Sequence, residues 1–187
     1  MLNIAAIALR GFLVIFGAIV LGLSVTLAKQ QVIGSPPAET SFFSFAGAFG
    51  IIASAIAILS LLIDKIPRVG VIAFDALSSV FYLAGAIALT VALKPVPNCT
   101  SSSDLARGLR YENKLLNGGC KKDKDSLYCP NAGTVKTPDA YTSGRCQEVQ
   151  ADYVFGYIAF VFGVASVIVG LLTHRRGGTG TTTATYV

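Results

Sequence analysis

Four long apolar runs leave this chain few ways to fold. They are "IAAIALRGFLVIFGAIVLGLSVTLA" (Ile4–Ala28), "FFSFAGAFGIIASAIAILSLLI" (Phe42–Ile63), Val69–Leu93 and "YVFGYIAFVFGVASVIVGLLT" (Tyr153–Thr173). About 20 helical residues, rising 1.5 Å each, cross the hydrocarbon of a bilayer, and a helix pairs its own backbone groups there. The expected fold is therefore all-α, an antiparallel bundle of four transmembrane helices. Charged residues make up only 13% of the chain, and the mean hydropathy is +0.64. Soluble domains carry about a quarter charged residues. The first run is too long for a signal-peptide core and has no basic segment before it, so it reads as a helix of the mature protein.

The connections differ in length and chemistry. "KQQVIGSPPAETS" (29–41) and "DKIPR" (64–68) are short, whereas residues 94–152 form one polar loop. That loop holds every cysteine: Cys99, Cys120, Cys129 and Cys146. An even set of cysteines in one loop points to disulfides and an oxidising, extracellular or lumenal face. Zinc fits poorly, because no CxxC pair or histidine accompanies them. Four cysteines allow three pairings. The expected one is nested, with Cys99–Cys146 closing the base of the loop and Cys120–Cys129 an inner turn. "NCT" makes Asn98 a candidate glycosylation site, although it lies close to the membrane.

Positive charge argues for the opposite orientation. Ten of the 15 Lys and Arg residues lie on the loop side and five on the other. That rule weakens for long loops, so the cysteines are given more weight and both termini are expected to be cytosolic. Residues 1–176 then form the membrane domain and 177–187 a disordered Gly/Thr-rich tail. Arg175 and Arg176, at the end of the fourth helix, are placed to contact anionic lipid.

One acid interrupts the third run. Asp75, Ser78, Ser79 and Tyr82 share a helical face that should point into the bundle. Asp75 lies 19 residues before Lys94, and Arg10 lies 19 residues before Lys29. Both sit roughly 28 Å from the loop-side boundary, near the far edge of the hydrocarbon. Equal depth and opposite charge predict an ion pair between them, a structural tie rather than a proton relay. Small residues mark the packing faces: Gly156, Gly163 and Gly170; Ala46, Gly50 and Ser54; Ala18 and Gly22. Most of these should pack within the bundle, leaving some for contacts between protomers.

The chain resembles the fungal MARVEL-domain tetraspans, in particular the eisosome-associated family of non-classical export protein 2. The resemblance rests on "LGLSVTLAKQQVIGSPP", "FDALSSVFYLAGAIA", the cysteine loop with "LLNGGC", "CQEVQADYVFGYIAFVFG" and the closing "HRR", in that order. It implies a plasma-membrane protein that organises lateral compartments and responds to sphingolipid. With the small-residue faces and the basic tail, the expected partners are membrane lipids and a homo-oligomer or larger membrane-protein assembly. No cofactor or metal is expected, with sphingolipid or sterol as candidate structural lipids.

Other functions find less support. A transporter or channel needs a polar path through the bilayer, yet the middle of each run is mostly apolar or small. An accessory subunit of a larger complex is a further alternative. No catalytic set can be assembled around the single histidine, His174. Nucleic acid is excluded as a partner by the lack of a basic stripe or binding motif.

Overall fold

A computed structural model describes residues 2–62, 67–123, 126–130, 132 and 140–178. Its order is α1 (Leu2–Lys29), α2 (Ala38–Leu62), α3 (Arg68–Leu93), a short α4 (Asp104–Glu112), strands β1 (Lys121–Asp123) and β2 (Ser126–Tyr128), and α5 (Ala140–Gly178). α1, α2, α3 and α5 each contain a stretch long and apolar enough to cross a membrane. The strands pair antiparallel as a small ribbon, Lys121 opposite Tyr128. Most of the short α2–α3 turn and the tail from residue 179 lie outside the described residues.

The helices stand in a ring, α1 beside α2, α2 beside α3, α3 beside α5 and α5 beside α1. One end of the bundle carries the segment between α3 and α5 and is termed the loop face. The opposite end, where α1 begins and α5 finishes, is the tail face. Long side chains bridge the diagonals of the ring. Phe43 of α2 reaches Gly156 of α5, and Tyr82 of α3 reaches Gly17 of α1. Both aromatics are buried. Without lipid-driven burial of apolar surface, close approach is what holds such helices together, and glycine permits it.

Two glycines are required outright by these aromatics. A β-carbon at Gly50 would overlap the Tyr82 hydroxyl, and one at Gly85 would overlap the Phe43 ring. The Tyr82 hydroxyl itself is buried without a hydrogen-bond partner among the described residues. Tyr82→Phe is therefore expected to leave stability unchanged or raise it by up to about 1 kcal/mol, since an unsatisfied buried hydroxyl is removed. Gly50→Ala should cost about 1–3 kcal/mol through overpacking. Thermal midpoints in mild detergent check both.

The described part of the region between α3 and α5 carries structure of its own, α4 and the β1–β2 ribbon. α5 begins at Ala140, 13 residues before the expected start at Tyr153, and runs on to Gly178. Ser103 caps α4 by accepting from the Ala106 amide. Beyond it, "LLNGG" docks on the α1–α2 turn: Leu115 and Leu116 are buried, and the Gly118 carbonyl accepts from Val32 at 2.7 Å. Gly118 and Gly119 have φ of 70° and 94°, in the left-handed region that favours glycine. A side chain at Gly119 would also overlap the Ile33 carbonyl.

Candidate functional site

The polar groups inside the bundle form two sets. Nearer the tail face, the Arg10 guanidinium donates to both carboxylate oxygens of Asp75, a bidentate ion pair. Arg10 is 7% exposed and Asp75 2%. The pair joins α1 to α3, helices that face each other across the ring without packing side by side. Ser78 and Ser79 do lie on the same face, but their hydroxyls donate to the Asp75 main-chain carbonyl, at 3.0 and 2.7 Å. Carboxylate and guanidinium therefore satisfy each other, and the serines satisfy the helix. This is the chemistry of a brace.

Nearer the loop face, the polar set lies between α1 and α5. Ser24 donates to Asp152 at 2.6 Å, and Asp152 is fully buried. One turn earlier on α5 stands Glu148, and a buried oxygen of each acid has no hydrogen-bond partner among the described residues. Arg145 completes this face at 1% exposure. It donates twice to the Leu115 carbonyl (3.1 and 2.7 Å), to Gln30 Oε1 (2.9 Å) and to the Tyr141 hydroxyl (3.3 Å). One guanidinium thus ties α5, the end of α1 and the docked "LLNGG" segment together.

Hydropathy alone does not single out Arg145, Glu148 or Asp152, because the fourth apolar run begins only at Tyr153. Their signal was helical spacing: 145, 148 and 152 share a face with the buried Cys146 and Val149 close by.

Two disulfides fasten the loop face, Cys99–Cys146 and Cys120–Cys129, with Cα separations of 5.4 and 4.2 Å. The first links the residues just after α3 to the first turns of α5, and both its sulfur-bearing residues are buried. Asn98 is exposed five residues past the end of α3, and its side-chain oxygen accepts from the Thr100 amide and hydroxyl, both at 2.9 Å.

The small-residue faces find their neighbours inside the chain. Gly156 meets Phe43 and Ala86, Gly163 meets Ser79, and Gly170 meets Ile72. Ala46 and Ser54 are buried, and Gly50 seats Tyr82. Ala18 and Gly22 are exposed on α1, and a β-carbon at Gly22 would meet nothing within 4 Å. Arg175 is exposed at the tail face, and the α5 backbone continues helical through Arg176.

Four helices long and apolar enough to span a bilayer, tied together inside by the Arg10–Asp75 pair, define a multi-pass membrane protein. Residues 3–169 match the MARVEL family, described as a membrane-associating domain, and the chain belongs to that family. No curated protein and no solved structure matches it.

Proposed function

We propose that the protein is a non-enzymatic organiser of lateral compartments in the plasma membrane, acting through association with itself, with other membrane proteins and with lipid. The observation that carries this reading is how the span surface is divided. Between 22% and 39% of each spanning stretch is fully buried inside the bundle, and the rest of its apolar surface is partly or wholly exposed at the sides. The interior is filled by Tyr82, Phe43, Leu27 and Leu89 and cross-braced by Arg10–Asp75, which favours a scaffold over a conduit. The disulfides support a reading in which the loop face meets an oxidising compartment and both termini are cytosolic. Arg175 and Arg176 would then face the anionic cytosolic leaflet. The eisosome-type, sphingolipid-responsive role comes from the resemblance of the sequence motifs described above.

The test is imaging of the tagged chain in its native membrane, together with mass measurement of particles released in mild detergent. Patches in the membrane and particles larger than one chain are expected. Gly22→Leu should reduce both without lowering the thermal midpoint, because the single chain has room for that side chain. A uniform distribution and monomeric particles would overturn the reading.

A further inference from the structure

At the loop face a cleft of about 680 Å³ opens between the α1–α2 turn, the end of α3 and the segment after α4. Its size lies within the range of about 300–1,000 Å³ usual for small-molecule sites. Its depth is set by the spans around it. The α1 span ends at Lys29, the α2 span begins at Ala38 and the α3 span ends at Leu93. The lining runs through Gln31, Ser35 and Glu39 and includes Ala92, so the cleft sits where the headgroups of that leaflet lie.

The frame of the cleft is fixed by its own amides. Asn113 donates to the Ala92 carbonyl and accepts from the Leu115 amide, each at 2.9 Å. Asn117 donates to the Tyr111 carbonyl and accepts from the Gly119 amide. Those amide groups are occupied. The charged side chains of the lining are Glu39, Glu112 and Lys114, and none of the three has an ion-pair partner among the described residues. Two carboxylates and one ammonium on a headgroup-level cleft complement a ligand bearing a cationic hydrogen-bond donor and an anionic acceptor.

We propose that this cleft binds the headgroup of a zwitterionic phospholipid with a primary ammonium, of the phosphoethanolamine type. The ammonium lies against Glu39 and Glu112, and the phosphate against Lys114. A quaternary ammonium would call for an aromatic cage, and the described lining has no aromatic residue. A purely anionic headgroup would meet two carboxylates.

The experiment places the intact, disulfide-bonded protein in nanodiscs containing equal phosphatidylethanolamine, phosphatidylcholine and anionic phosphatidylglycerol with matched acyl chains, and in a second arm offers it soluble phosphoethanolamine. Native mass spectrometry then reads the retained lipid. Retention of the ethanolamine lipid about tenfold over the choline lipid is expected, the scale of one charge-assisted hydrogen bond. Glu39→Gln combined with Glu112→Gln should bring the ratio close to one at an unchanged thermal midpoint. Lys114→Glu, at an exposed position, should lower total retention. Equal retention by the native chain, an unchanged ratio in the double variant, or preference for an anionic lipid would overturn the proposal. Binding of soluble phosphoethanolamine without retention of the lipid would overturn its assignment to a membrane headgroup.

Discussion

Asp75→Ala is expected to cost about 3–5 kcal/mol, because it strands the Arg10 guanidinium in the bundle without its counter-charge. That is a large share of the roughly 5–15 kcal/mol that holds an ordinary domain together. Arg10→Ala should cost a similar amount by leaving the carboxylate alone. Replacing both in one chain, Arg10→Met with Asp75→Leu, is expected to recover most of the loss, since apolar pairs of matched volume often equal or exceed a buried ion pair. Exchanging the charges, Arg10→Asp with Asp75→Arg, should recover part of it. Unfolding midpoints in mixed detergent and SDS, arranged as a double-mutant cycle, give the coupling directly. A single substitution that moves stability by less than about 0.5 kcal/mol, the scale of ordinary surface changes, would show that the pair is not a brace. If the apolar pair folds but fails to form membrane patches, the charges serve assembly as well.

Arg145→Ala should be the most damaging change at the loop face, at about 3 kcal/mol. It removes the donors to the Leu115 carbonyl and to Gln30, leaving a buried carbonyl unsatisfied. Arg145→Lys should rescue little, because one ammonium cannot span the several acceptors that the planar guanidinium reaches. The loss should be local before it is global. Hydrogen exchange at Val32 and Ile33, whose amides donate to the Gly118 carbonyl, should quicken while the mid-bundle amides stay protected. Uniformly faster exchange throughout the chain would instead mean that Arg145 supports the whole bundle.

The contrast between these two arginines shows what the sequence made legible. Arg10 and Asp75 could be matched because helical rise is constant, so counting from each lysine gave a depth for each. Depth is one-dimensional, and it sufficed here. Arg145 demanded knowing where a helix starts, and the hydropathy of a run marks only where the water ends. The first turns of α5 lie outside the apolar run, yet their inward face carries Thr142, Cys146 and Val149. Read at helical spacing, they would have extended the helix by three turns or more.

The small-residue faces show a similar limit. Seven-residue spacing placed Gly156, Gly163 and Gly170 on one side of α5, but spacing names no neighbour. The neighbours are Phe43 and Ala86, Ser79 and Ile72 of the same chain. The "LLNGGC" motif was visible as a string, while its physical reason lay in the φ angles of Gly118 and Gly119 and in the carbonyl of Ile33 close by.

The 39 residues of α5 make a rod about 58 Å long, more than the roughly 40–45 Å of a whole bilayer with its headgroups. At one end it is bolted to the α3 terminus through Cys146, and near the other it carries Arg175. α5 therefore overreaches the bilayer, with a disulfide-anchored end beyond the apolar stretch on one side and a basic end on the other.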